Sequence, residues 1–358
     1  MFRIFLFILS AYLCAIALGK QCIVTKFSQV QHATNICTDI ILSNLLVPAG
    51  KTLNLNLLNN TQLVFLGNTT FEFTNWLGPL ITINGTGLLI AGAENSRIDG
   101  QGQMYWDGKG GSGTDKPQFF TIQAFNSIFK NIYVLNSPKD VLQITNSDNV
   151  LFSNWYIDDS LGDKGVAAEG HEGHHTDGFD IWNSTNVVII NGTVYNQDDC
   201  LAIRCGQNIT VSNLWCHGSH GLSISVGFSK NDSSVNMLRN VTIRDSFLID
   251  GENGIHIKTH NDGGKGLITD ITYENITFIG PNSFGIQIQQ NYPKGEVVGN
   301  VPINNLMLKN VHGNVTDEAV PVFILCADGS CNKWVWYDVH VNGSRRSICN
   351  YEPENFIC

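Results

Sequence analysis

Short runs of β-branched and other apolar residues, closed by Asn, Asp or Gly, recur along most of the chain, and no window sustains the i, i+3, i+4, i+7 spacing of a long apolar helix face. The pattern predicts an all-β protein. Five runs alternate with period two and align with one another: Gly178-Phe179-Asp180-Ile181-Trp182, Cys200-Leu201-Ala202-Ile203-Arg204, Gly221-Leu222-Ser223-Ile224-Ser225, Gly254-Ile255-His256-Ile257-Lys258 and Gly285-Ile286-Gln287-Ile288-Gln289. A second series accompanies them: Asn149-Val150-Leu151-Phe152, Asn186-Val187-Val188-Ile189, Asn208-Ile209-Thr210-Val211, Asn240-Val241-Thr242-Ile243 and Asp270-Ile271-Thr272-Tyr273. Their starts lie roughly 20 to 37 residues apart, a spacing that marks a repeat architecture. Two or three short strands per repeat with Asn and Gly at the corners predict a solenoid of stacked parallel strands, a parallel β-helix. A propeller needs about 40 residues per four-stranded blade, and a sandwich does not repeat one motif so regularly. The core of a solenoid grows with length, so one domain is expected over residues 20–358. An apolar segment before the repeats, around Phe27 to Leu46, predicts a short N-terminal capping helix.

Residues 1–19 carry Arg3, the apolar stretch Ile4-Phe5-Leu6-Phe7-Ile8-Leu9 and a small-residue end at Ala17-Leu18-Gly19, which reads as a signal peptide cleaved near Gly19. No comparable apolar run follows, so a secreted, extracellular protein is expected, with no membrane association after cleavage. That route permits disulfides. Cys14 leaves with the leader, and proximity in sequence pairs Cys22 with Cys37, Cys200 with Cys216, Cys326 with Cys331 and Cys349 with Cys358. Cys205 is then the odd thiol, with a swap between Cys205 and Cys200 left open. Asn59, Asn68, Asn84, Asn183, Asn191, Asn208, Asn231, Asn240, Asn275, Asn314 and Asn342 each begin a glycosylation sequon, some as a by-product of the Asn-rich repeat. A formal net charge of −10 offers no overall field for nucleic acid, so a polyanionic ligand would have to be attracted locally. No dimerisation motif is visible, which makes a monomer the default expectation.

In a solenoid, equivalent positions of successive coils stack, so register becomes proximity. Asp177 precedes one aligned run and Asp198-Asp199 the next, which predicts three carboxylates at the same edge of neighbouring strands. The following coil places His220 there, and His256 and Lys258 share one face of the strand after it. Glycoside hydrolysis needs a protonated carboxyl for the leaving oxygen and an ionised one for water or direct attack. Clustered aspartates supply both states, because mutual repulsion raises one pKa while a neighbouring cation keeps another group charged. A lone Asp at a corner would more simply be a turn residue. Three in register, followed by an aligned His and Lys, point to chemistry.

Gly173-His174-His175-Thr176-Asp177-Gly178-Phe179-Asp180, Asn196-Gln197-Asp198-Asp199-Cys200, Ser219-His220-Gly221-Leu222-Ser223-Ile224 and Gly254-Ile255-His256-Ile257-Lys258 together resemble the polygalacturonases of glycoside hydrolase family 28. They stand where that family shows Asn-Thr-Asp, Asp-Asp, Gly-His-Gly and Arg-Ile-Lys, and the resemblance covers nearly all of the mature chain. It implies a right-handed parallel β-helix that cleaves the α-1,4-galacturonosyl linkages of homogalacturonan, the backbone of pectin, with inversion, and endo action is expected. By the same resemblance Asp198 is the general acid, Asp177 and Asp199 hold and activate water, and His220 tunes the acid. Lys258 binds a galacturonate carboxylate and Tyr292 contacts substrate. No cofactor is implied, and the terminal cysteine pairs resemble the family's disulfides.

Three motifs depart from the family: His175 replaces Asn, Ser219 replaces Gly and His256 replaces Arg. A guanidinium grips a carboxylate with two charge-assisted hydrogen bonds, typically about 1.5 to 3 kcal/mol, which neutral imidazole cannot reproduce. Below a pKa of about 6.5, His256 would regain a positive charge, predicting activity that rises in acid. Ser219 adds a side chain where the family has none. The alternative left by these changes is a catalytically impaired pectin-binding pseudoenzyme. A calcium-dependent pectate lyase is the rival enzyme on the same kind of fold. His171, His174 and His175 crowd a polar loop and read as surface residues, so no metal centre is expected.

Overall fold

The computed structural model describes residues 20–358, and the expected signal peptide lies outside them. Among the described residues, 28 strands form one continuous sheet, and each strand pairs in parallel with its counterpart one coil away. The architecture is a right-handed parallel β-helix.

Both aligned series become strand stacks. In the first, Phe179, Leu201, Leu222, Ile255 and Ile286 stand in register across five successive coils. In the second, Val150, Val187, Ile209, Val241 and Ile271 do the same. Inward positions alternate with outward ones, so like side chains pile into continuous columns that are fully buried. Most corners are made by Asn with a left-handed backbone, including Asn186 at φ 52° and Asn208 at φ 55°. Asn tolerates that conformation better than most residues because its amide bonds locally.

The capping helix is real but shorter than the apolar segment suggested. A 3₁₀ turn (Phe27–Gln29) leads into one helix (Val30–Ile36), and the rest of the segment folds as strands Asp39–Ser43 and Leu46–Val47. Ile40 and Leu42 alternate with half-buried neighbours, a period-two pattern, and their register with the next coil overrides the helical reading. The helix buries Val30, Ala33 and Thr34 over the end of the first coils. All four neighbouring cysteine pairs form, and Cys205 is the free, buried thiol, which removes the swap with Cys200. Its sulfur accepts the Asn183 N–H at 3.0 Å.

Candidate active site

The first strand stack is the floor of a cleft of about 640 Å³. Its outward positions are polar apart from Ala202: Asp180, Ala202, Ser223, His256 and Gln287 form one column across the coils. Asp177 and Asp199 enter at the starts of their strands, where the Gly178 N–H donates to the Asp199 carbonyl at 2.9 Å. Buried Asn196 fixes this edge, its Nδ2 lying 2.7 Å from the Thr176 carbonyl and 3.0 Å from those of both Asp198 and Asp199. The Val141 N–H donates to the Asp177 carbonyl at 2.8 Å, so all three carboxylates are pinned through their own backbones.

Each then receives a different partner. Asp198 Oδ1 lies 3.2 Å from His220 Nδ1, and that nitrogen also lies 3.3 Å from Glu252 Oε2. Asp199 accepts from Ser223 Oγ at 2.6 Å and from Lys258 Nζ at 3.0 Å. Asp177 accepts from Arg204 Nη2 at 3.0 Å, while its other oxygen is buried without a partner among the described residues. Lys258 therefore faces inward to Asp199 as well as outward to the cleft, and its ammonium sits 5.1 Å from the Tyr292 ring centroid.

These partners separate the charge states. Burial works against ionised Asp198, yet the His220 hydrogen bond and charge, then Lys258, hold it well below the usual carboxylate range. Burial likewise disfavours charged His220, but Asp198, Glu252 and Asp199 push it up to about 9. Asp177 is raised well above its ordinary value by burial first and then by Asp198, Asp180, Asp140 and Asp199. Asp180 is pushed up to about 7 by burial, with Arg204 opposing.

Two expectations are corrected by burial. His256 lies buried on the floor, with Nε2 3.1 Å from Gln289 Nε2. Burial, then the positive charges of Lys258 and His220, depress its pKa well below 6.5, so it stays neutral where an acid-restored cation was expected. Ser219 does not intrude: its buried hydroxyl accepts the Gly221 N–H at 3.3 Å. The crowded histidines divide. His171 Nδ1 bonds the Trp106 carbonyl at 3.1 Å, whereas exposed His175 lines the cleft wall beside Asp177 and Asp198, as a substrate-facing residue would.

Arg204 and Asp180 were missed as site residues. Arg204 donates from Nε and Nη2 to Asp180 Oδ1 at 3.2 and 3.0 Å. A signal existed, since Arg204 occupies the same repeat position as Lys258. Donor groups capable of holding a cation include Asp140–Asp177–Asp180, Asp198–Asp199–His220 and the exposed His312–Asp338–His340. The first two already have protein cations bonded to them in Arg204, His220 and Lys258.

The sequence profile of glycosyl hydrolases family 28 matches residues 37–358. A polygalacturonase from Phaedon cochleariae is 44% identical over 349 residues, covering 95% of this chain and 94% of the relative. Endopolygalacturonase I from Aspergillus aculeatus is 41% identical, covering 92% and 86% respectively. The solved structure of endopolygalacturonase I from Stereum purpureum, complexed with two galacturonates, superimposes with a TM-score of 0.82 at 31% identity, covering 93% of this chain and 98% of that one. With a matching profile across most of its length and relatives of this identity, the chain belongs to the glycosyl hydrolases of family 28.

Proposed function

We propose that the protein is a secreted endo-acting polygalacturonase that hydrolyses the α-1,4-galacturonosyl linkages of homogalacturonan with inversion. The observation that carries this reading is the triplet Asp177, Asp198 and Asp199 at one edge of the cleft floor, each held by a different cationic partner. Asp198 is the general acid. The proton rests on the imidazole of His220, pushed up to about 9, and passes along the 3.2 Å contact from Nδ1 to Asp198 as Asp198 delivers one to the leaving oxygen. Asp177 and Asp199 hold the attacking water and take its proton, with Ser223 and Lys258 fixing the orientation of Asp199. Lys258, Tyr292, His175 and His256 bind the sugar beside the scissile bond, Lys258 and Tyr292 meeting its carboxylate and ring. Secretion is supported by the leader and the four disulfides.

A pectin-binding protein without turnover is the second reading, favoured only by the neutral His256 where the family carries a guanidinium. The deciding experiment measures reducing ends released from de-esterified homogalacturonan between acidic and neutral pH, with Asp198→Asn as the blank. Release above the blank, accompanied by an early fall in viscosity, is expected of endo hydrolysis. Binding with no release above the blank at any pH would sink the enzyme reading.

A further inference from the structure

We infer that Arg204 is a positioning residue of this cleft, its guanidinium serving as the fixed counter-ion that favours the anionic form of Asp177, the form able to face and deprotonate the attacking water. The inference rests on the hydrolase reading for the water, whereas the ion pair stands on geometry alone. Arg204 follows the strand Leu201–Ile203 and stacks in the column running from Trp182 to Ser225 and Lys258. Its guanidinium carbon lies 5.2 Å from the ring centroids of both Trp182 and Phe228, which are themselves 5.2 Å apart, so the group rests against an aromatic pair. From that seat Nη2 reaches Asp177 and Asp180 at 3.0 Å each, and Nε reaches Asp180 at 3.2 Å. Both carboxyl side chains are only 3% exposed, against 17% for Arg204.

Burial and the neighbouring carboxylates push Asp177 well above its ordinary pKa, so the one bonded cation that opposes them is decisive for its ionised form. The preceding coil presents Asp140, paired at 3.6 Å with Lys139. Its own strand presents Asp180, and the following coil presents Asp198 and Asp199, whose own cations are His220 and Lys258. His175 lies on the wall above, near Asp140 and Asp198. Among the described residues, Arg204 is the only cation bonded directly to Asp177. Remove it, and two nearly dry carboxylates remain amid like charges, a situation relieved most cheaply by protonation. A protonated Asp177 cannot accept a proton from water. The neutral imidazole at 256 adds to the demand, because the permanent positive charge of the floor then comes from Arg204 and Lys258.

The test follows the Asp177 carboxyl carbon by ¹³C NMR in Asp-labelled protein, assigned with Asp177→Asn, alongside the pH profile of kcat/KM. In Arg204→Gln, Asp177 is expected to titrate at least about one pH unit higher, and the acid limb of the profile to move with it. Arg204→Lys keeps the charge but loses the fork, and is expected to recover most of that shift. An Asp177 titration unchanged in Arg204→Gln overturns the inference whether or not the protein hydrolyses pectin. A fall in kcat with an unmoved acid limb and no rescue by Lys also overturns it, since that is what a purely structural Arg would give. Absence of turnover in the wild type would sink the hydrolase reading and leave the titration to decide the ion pair. Should Arg204→Gln fail to fold, Phe228→Leu removes one ring of the aromatic pair under the guanidinium without altering charge. A smaller upward shift is expected there, and no shift would equally count against the inference.

Discussion

His220 and Asp198 show how one contact sets two charge states. The imidazole is raised to about 9 and the carboxyl is lowered, so each makes the other's ion more stable in the fold than in the unfolded chain. The sign for His220 follows from the raised value: its contribution is complete below the unfolded pKa of about 6.5 and is lost as pH rises towards about 9. The Asp198 contribution runs the other way, present above the unfolded carboxylate pKa and lost as pH falls through its depressed folded value. Since the His220 side chain is 32% exposed, solvent screening discounts its share to about 1 to 2 kcal/mol. Unfolding free energies from urea titrations between pH 6 and 10 are therefore expected to fall in the wild type by that amount more than in His220→Gln. Equal slopes in the two proteins would contradict the pairing.

At the scale of elements, the strands are held in register by ladders of Asn as well as by their apolar columns. Asn240 Nδ2 donates to Asn208 at 2.9 Å, Asn208 to Asn186 at 3.1 Å, and Asn186 to Asp148 at 2.7 Å, each one coil from the next. The same residues need a left-handed backbone to turn the corner, so their side chain and their φ angle serve one purpose. Replacing Asn186 by Ala removes a donor and an acceptor and leaves a Cβ residue at φ 52° without local support. A loss of about 1.5 to 3 kcal/mol is expected in urea unfolding, with Asn186→Gly losing less because glycine accepts the backbone. If Gly proves as costly as Ala, the hydrogen bonds rather than the corner dominate.

At the scale of the whole molecule, a formal net charge of −10 must coexist with a polyanionic substrate. The cleft does little to offset it, because Arg204 and Lys258 are each already bonded to aspartates. Long-range repulsion should then slow encounter at low salt. Raising the ionic strength from about 0.01 to 0.1 M shortens the Debye length from roughly 30 to 10 Å, and KM for polymeric homogalacturonan is expected to fall. A KM that rises with salt would mean that the local cations govern encounter instead.

The sequence by itself determined the solenoid, the columns of inward Ile, Leu and Val, three of the four disulfides and the clustering of Asp177, Asp198 and Asp199, while the structure chose Cys200 over Cys205 as the partner of Cys216. In a repeat fold each of these depends on register, and register is written locally, as an alternating run that ends in Asn or Gly. What only the tertiary structure decided is which ion meets which. Arg204 turns to Asp177 and Asp180, Lys258 to Asp199, and His256 is dry enough to stay neutral. Side-chain direction across coils, and the loss of water around a group, arise from surrounding coils rather than from the residue's own segment. Repeat alignment could place Arg204 and His256 on the floor, but only the packed floor could give one a paired charge and take the charge from the other.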